Sequence, residues 1–463
     1  MKVLTLAITL LAAGIMFGAI IGAPSPEPAG DICEYYGITQ TLITHQSLDL
    51  QPSDVTSLTK QLGQPYYTLW YCYFSGRNTL RYPLHFAAYS LLATPIRLVL
   101  EAIRIDPLKT FAVTNFLFLI GGLLYLLRRF PLTTIQQLAL IALTLTSPLL
   151  SFLAWPGPDL AVLMLLLIAL MLFLHNNFAA AMILTAIASW QSQPILAVLG
   201  GMIAYVILNK KNFRFVFVPI GLGMIPYIYT MYAFGTLTPW TQLTDGWTKL
   251  NGFGLHNISL QKLFEQFTDP NIGVFWYAPI LTILGLWTLR KKYWLIGMLL
   301  ATLLAFQTNP AWHYGTSGYG PSRHAIVMIP FFIAIITHEI TKPKLWFVAI
   351  GLIIVFQIAI LSVNNYIFPI FTNTLTHSPT AQFILSRWPA LYNPTPEIFV
   401  DRTNHTDLDY PTSAIYRIDG ICKKTYVLLR DLDRIIEECG PMQLTTRPSI
   451  INPETDGFYG TYQ

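Results

Sequence analysis

The residues whose types and spacing suit chemistry lie in one short run after the first hydrophobic segment. It reads Gly30-Asp31-Ile32-Cys33-Glu34-Tyr35-Tyr36, with Thr39, Ser47 and Asp49 following. Asp31 and Glu34 stand one helical turn apart if the chain coils there. Two acids close to a membrane surface are costly to keep unless they pair or work. A carboxylate in a partly apolar setting has its pKa raised, which strengthens it as a base, so proton abstraction is the chemistry this run suits. Glu34 also suits holding Asp31, a metal or an acceptor, or acting as a helix-start charge that complements the dipole. A further acid, Asp159, follows Trp155-Pro156-Gly157-Pro158 and reads equally as a site acid or as the N-cap of the helix it opens.

The elements that must position these groups are hydrophobic. Of 463 residues, 54% are hydrophobic and 11% charged, against roughly a quarter charged in soluble proteins. Mean hydropathy is +0.51. Apolar runs of about twenty residues recur as far as Asn365, the mark of repeated membrane spans. The net charge of +5 comes from basic residues in short loops and gives no basic face for nucleic acid. No internal repeat, P-loop, GxGxxG, HExxH or CxxC occurs, so neither a cytosolic nucleotide-sugar donor nor a metal site is expected from motif spacing.

The positive-inside rule fixes the expected topology. If 84–103 lies along the outer surface as a juxtamembrane helix, then Arg128-Arg129, Lys210-Lys211 with Arg214, Arg290-Lys291-Lys292, and Lys342 with Lys344 all fall inside. Arg97, Glu101 and Arg104 fit a surface helix better than a buried one. About eleven spans follow: 3–23, 107–127, 134–154, 158–174, 178–192, 194–208, 213–234, 273–289, 293–307, 323–340 and 344–366. The short pair around Ser189–Pro194 reads as a bent hairpin. Expected is an all-α polytopic membrane protein of the cytoplasmic membrane, its N-terminus inside and its C-terminus outside. Residues 1–368 form the transmembrane domain, with 24–106 as a large first external loop. Residues 369–463 form a small α+β extracytoplasmic domain. There, Ile415–Ile418 alternates, Tyr426–Leu429 is an apolar run, and Arg430–Cys439 reads as a short helix ended by Gly440-Pro441. Cys33, Cys72, Cys422 and Cys439 all fall outside the cytoplasm, where disulfides form. Cys33–Cys72 and Cys422–Cys439 are the local pairings among three connectivities, with free thiols the alternative.

Four stretches, in order, resemble the GT-C membrane glycosyltransferases, closest to the protein O-mannosyltransferase and lipid A aminoarabinose transferase branch. They are the Gly30–Tyr36 run with Thr39-Gln40-Thr41-Leu42; Tyr82-Pro83-Leu84-His85-Phe86 with Tyr89-Ser90-Leu91-Leu92, Asp106-Pro107 and Asn115; Trp155–Asp159; and Tyr314-Gly315-Thr316-Ser317-Gly318-Tyr319-Gly320-Pro321-Ser322-Arg323. Each motif is weak alone; order and sidedness carry the likeness, which covers about three quarters of the chain. The tail matches poorly.

The resemblance implies an inverting transfer at the outer face. The donor would be a polyprenyl-phosphate-linked sugar, and the acceptor a glycan, lipid or protein. Asp31 would be the general base, with Glu34 and Asp159 as further catalytic acids. A leaving lipid phosphate needs a cation, and Arg323 offers a planar fork beside a flexible loop, unless it is a snorkelling anchor. Arg81 and Arg77 have the same two readings. Tyr35, Tyr36, His85 and Tyr319 would line the substrate loops. His313 and His324 are weaker donors. Trp155, Trp240, Trp247, Trp276 and Trp312 fit an interfacial belt in contact with membrane lipids. The resemblance leaves dependence on a divalent cation open. Two other readings compete, a transporter or flippase for lipid-linked glycans and a non-catalytic membrane assembly protein. Against the transporter, the spans hold almost no buried charge and no inverted halves stand out.

Overall fold

In the computed structural model, the described residues are 3–24, 32–62, 73–77, 79–211, 213–238, 254–309, 319–340, 343–364, 375–406, 412–444 and 457–462. Contacts divide the chain into two compact units. The first comprises Met1–Thr244, Ile280–Ala305 and Val327–Val363; the second comprises Asp245–Pro279, Phe306–Ile326 and Asn364–Gln463. The second unit thus takes in two segments from between the apolar helices as well as the tail.

The first unit is helical. Its elements before the main apolar run are α1 (Val3–Gly22), α2 (Ile32–Thr44), α3 (Pro52–Leu62), a two-residue ladder of β1 (Phe74–Ser75) with β2 (Arg81–Tyr82), and α4 (Ala88–Ala102). Then come α5 (Thr110–Arg129), α6 (Thr134–Leu145), α7 (Asp159–Leu174), α8 (Phe178–Ala188), α9 (Leu196–Leu208), α10 (Phe217–Gly223) and α11 (Ile225–Phe234). After a segment of the second unit holding α12 (Leu260–Thr268) and α13 (Val274–Tyr277), the first unit resumes. Its last helices are α14 (Pro279–Leu289), α15 (Tyr293–Phe306), α16 (Met328–Glu339) and α17 (Pro343–Asn364).

Among the described residues, three helices are long and apolar enough to cross a membrane: Val3–Gly22, Pro107–Arg129 and Arg214–Phe234. The other apolar stretches are 10–17 residues long, that of α17 being Val348–Val363. Every stretch read from the sequence as a span carries one of these helices, but several are shorter than expected, and prolines explain most of the loss. Pro148 and Pro279 lack the N–H a continuing turn needs. Accordingly α6 stops at Leu145 ahead of a 3-10 turn, Pro148–Phe152, and 273–289 is broken into α13 and α14. The 178–208 region is a pair of short helices joined by the turn at Gln193–Ile195, the bent form expected of it.

Helix ends that the charge rule assigns to one side touch each other. The rings of Phe130 and His175 lie 4.5 Å apart, and those of His175 and His338 5.5 Å. Lys292 and Lys291 reach Glu339 at 3.7 and 3.8 Å. At the other ends, Lys109 donates to the carbonyls of Ile21 and Ala23, closing α1 onto α5.

The C-terminal part of the second unit holds α18 (Pro379–Arg387), α19 (Pro396–Asn404), β3 (Ala414–Ile418), β4 (Ile421–Leu428), α20 (Leu432–Cys439), β5 (Gln443–Leu444) and β6 (Gly457–Thr461). The sheet is antiparallel in the order β3-β4-β6-β5. Phe399, Tyr426, Leu428 and Tyr459 fill its core on one side, and Val427, Ile435 and Phe458 pack on the other. The alternation at 415–418, the apolar run at 426–429 and the helix stop are all borne out. Gly440 closes α20 at φ +84, a value a side chain would disfavour. Cys422 and Cys439 form a disulfide that ties β4 to α20. A disulfide belongs to an oxidising compartment, which suggests an extracytoplasmic domain.

Candidate functional site

Helix α2 opens the site. Glu34, in its first turn, is buried, and both carboxylate oxygens are committed to His85. One accepts from the His85 backbone N–H at 2.6 Å, the other pairs with Nδ1 at 2.8 Å. Since a carboxylate only accepts, the pairing requires the proton on Nδ1. The Tyr35 ring packs on His85 at 5.2 Å, on Tyr89 at 5.9 Å and on Phe111 at 6.2 Å. Tyr35 and Tyr36 are both wholly buried. The segment carrying His85 is pinned on either side: Tyr229 donates to the Pro83 carbonyl at 2.9 Å, and Gln191 to the Phe86 carbonyl at 2.5 Å.

From α4 the connection continues to the third motif. Tyr89 donates to Asn115 Oδ1 at 2.8 Å, and the Asn115 amide donates to the carbonyls of Phe152 at 3.1 Å and Trp155 at 2.9 Å. The loop ahead of α7 is compact at Gly157, where a Cβ would sit 2.7 Å from the Trp155 indole nitrogen and 3.3 Å from Asp159 Oδ2. Asp159 is half-buried at the first position of α7, and its side chain does not cap that helix. Burial raises the Tyr89 hydroxyl well above its ordinary value, with the Asp159 charge adding to it. The first loop, the Tyr82–Phe86 segment and the Trp155–Asp159 loop, up to 125 residues apart in sequence, are therefore linked in series through His85, Tyr89 and Asn115.

Helix α4 differs from the expectation at one residue. Arg97, expected on a surface, is almost completely buried. Its guanidinium lies 4.1 Å from the Tyr36 ring centroid and donates to the Tyr36 carbonyl at 3.4 Å, Thr39 at 2.8 Å, Gln40 at 2.5 Å, Gln61 at 3.0 Å and Glu101 at 2.8 Å. Arginine tolerates this because its five donors are satisfied in a fixed fork. Burial also pushes the Tyr36 phenol up to about 12. Arg97 is the residue the sequence reading missed: the i,i+4 Arg97/Glu101 spacing was visible, but its acceptors on α2 and α3 were not.

Arg81 sits in β2 and donates to the Tyr73 carbonyl at 3.0 Å. In the second unit, Tyr319 Oη accepts from Thr376 at 3.2 Å. Arg323 is half-buried next to Ser322, whose hydroxyl accepts from the backbone N–H groups of His324 and Ala325. His324 stacks on Phe306 at 5.0 Å. Cys33 is disulfide-bonded. Asp31, Cys72, Trp240, Trp247, Trp312, His313 and residues 314–318 lie outside the described residues. Among the described residues no three His, Cys, Asp or Glu converge as a metal-ligand set.

A second polar cluster, within the second unit, was not foreseen. Asp269 is buried and accepts from the backbone N–H groups of Asn271 at 2.7 Å and Ile272 at 3.0 Å, and from the Tyr392 hydroxyl at 2.9 Å. Burial and the nearby Glu265 charge outweigh these bonds and push its carboxyl up to about 7. Asn271 donates to Tyr392 at 2.6 Å and to His377 Nδ1 at 3.1 Å. His377 therefore carries its proton on Nε2, which meets Thr403 at 3.0 Å. Burial lowers its pKa to about 3. Asp269-Pro270-Asn271 reads from sequence only as a turn, because its partners lie more than a hundred residues away.

No protein-family model matches the chain, and no curated protein or solved structure matches it either.

Proposed function

We propose that this chain is an integral membrane glycosyltransferase that moves a sugar from a polyprenyl-phosphate donor to an acceptor on the outer face of the cytoplasmic membrane. The observation that carries this reading is the meeting of Glu34, His85, Asn115 and the Trp155–Asp159 loop, three motif stretches joined by buried hydrogen bonds. Asp31 directly precedes the first, fully buried residue of α2. In this proposal Asp31 takes the acceptor proton as the hydroxyl attacks the anomeric carbon, inverting it. Glu34 acts through His85 to hold α2 against the segment that leads into α4, and Asp159 is the second acid of the site. Arg81, in the same unit as these acids and with one guanidinium nitrogen held by the Tyr73 carbonyl, is the cation proposed for the phosphate charge. The mutual contacts of Phe130, His175, His338 and Lys292–Glu339 support a multi-pass topology with the basic ends inside.

The test is transfer in membranes from a panel of radiolabelled polyprenyl-phosphate sugars to an extract, comparing wild type with Asp31→Asn. The expected result is label transferred by wild type and lost, by about 10²-fold or more, in an equally expressed variant. Transfer that survives the substitution removes Asp31 from the mechanism. No transfer from any donor removes the enzyme reading and leaves lipid translocation as the assay to run.

A further inference from the structure

Helix α12 is inside out by the standards of a water-facing helix. Glu265 and Gln266 point inward, 7% and 0% exposed, whereas Leu260 and Phe264, one turn apart, are 74% and 65% exposed. Leu255 just before it is 78% exposed, and Trp276 just after it 38%. Glu265 faces inward because Thr395 and Gln261 supply its hydrogen bonds, at 2.6 and 2.5 Å from the Thr395 N–H and hydroxyl and 2.8 Å from Gln261. The helix start is capped by Ser259, whose hydroxyl accepts from Lys262 N–H at 3.1 Å. Between Leu255 and Thr268, the exposed side chains described are Leu255, His256, Leu260, Gln261, Phe264 and Thr268, and none carries a fixed charge.

We infer that the Leu260/Phe264 face of α12, with Leu255 and Trp276, seats in the bilayer interface and binds the second unit to the membrane surface. Continuity of the chain selects lipid as the occupant. The Trp276 indole donates to the Thr268 carbonyl, the last residue of α12, at 2.6 Å. Three residues after Trp276 the apolar helix α14 begins. A tryptophan, a residue type that favours the membrane–water interface, thereby ties the end of α12 to the stretch of chain that leads into an apolar helix. A face of four apolar side chains is also far smaller than the roughly 20–30 residues a side that a stable protein interface takes, but it suits an in-plane helix at a headgroup boundary. Helix α4 shows the same inversion, burying Ser90 and Arg97 and exposing Leu91, Leu92, Leu98 and Val99.

The inference is independent of the catalytic reading and is tested on the full chain in phosphatidylcholine vesicles. No described cysteine is a free thiol, so single cysteines at Phe264→Cys, Leu260→Cys and, as a control on the β3–β4 turn, Asp419→Cys take a bimane label selectively. Emission is read with brominated acyl chains and with aqueous iodide. Several-fold stronger quenching by brominated lipid at Phe264→Cys and Leu260→Cys than at Asp419→Cys, with iodide quenching reversed, is expected. Iodide quenching of both helix labels at the level of the control would overturn the inference. Protection of both from iodide without lipid quenching would also overturn it, assigning the face to a protein partner or a second copy.

Discussion

The two units each bury ionised or ionisable groups, and they handle the burial in opposite ways. In the first unit Arg97 is surrounded by Thr39, Gln40, Gln61, Glu101 and the Tyr36 ring, so a charge that is never given up is fully solvated by protein. In the second unit Asp269 and Glu265 are held by amides and hydroxyls, and the cost of burying their charge appears as raised pKa values. One network fixes a conformation at any pH. The other ties conformation to protonation. Donor count decides between them: a guanidinium brings five donors to its acceptors, while a carboxylate must recruit every donor from elsewhere.

Breaking the first network should have the largest effect. Arg97→Met keeps much of the aliphatic bulk but strands the side-chain acceptors of Gln40 and Gln61 inside, for a loss of about 3–5 kcal/mol. Thermal unfolding of the purified full chain in detergent reads this as a fall of several degrees that is the same at pH 5 and pH 8. Arg97→Lys should recover only part of it, because an ammonium cannot serve the same planar set of acceptors. An unchanged midpoint in Arg97→Met would mean the network is ornamental.

The second network predicts a pH signature. Asp269 has a folded pKa of about 7, above its ordinary 3.8, so its contribution is fullest below about pH 4 and is lost as pH rises toward 7. His377 has a folded pKa of about 3, below its ordinary 6.5, so its contribution is full above pH 6.5 and is lost as pH falls toward 3. Each spans roughly 4–5 kcal/mol, and between pH 4 and 6.5 the two slopes oppose each other. Asp269→Asn removes one of them. Burial also raises the Glu265 carboxyl, which adds a falling slope in wild type and variant alike. Hydrogen-exchange protection of the peptides covering 260–278 and 388–404 should therefore rise more steeply, or fall less, from pH 4 to 6.5 in the variant than in wild type. A variant with the wild-type slope would show that Asp269 does not titrate there.

These networks also mark where the sequence stopped being legible. Local pattern was enough for the apolar helices, for the strand at 414–418, and for the helix that Gly440 ends, because each rests on neighbours within a few residues. It was not enough for Arg97, whose position on α4 reads as a solvated face until α2 and α3 fold against it. Nor was it enough for the Glu34–His85 pair, 51 residues apart, although both residues stood out by type. The Asp269 cluster was invisible for the same reason at greater range, since Tyr392 and His377 come from the tail. Residue type announced the candidates of the first loop; only tertiary contact showed that Glu34 spends both oxygens on one histidine.

The smallest expected effect isolates one of the neutral donors that hold a buried carboxylate in the second unit. Thr395 donates both its N–H and its hydroxyl to Glu265. Thr395→Val keeps shape and the backbone bond and deletes only the hydroxyl. Burial raises the Glu265 pKa and the Thr395 bond works against that rise, so the bond is worth most when Glu265 is ionised. The loss should be about 1–3 kcal/mol where Glu265 carries its charge and should shrink as acid neutralises it. In exchange experiments the protection lost in the α12 peptide should therefore be greater at pH 7 than at pH 4. Thr395→Ser, which restores the hydroxyl, should behave as wild type at both. A loss equal at the two pH values would assign Thr395 a packing role and leave Glu265 to be charged or neutral without its help.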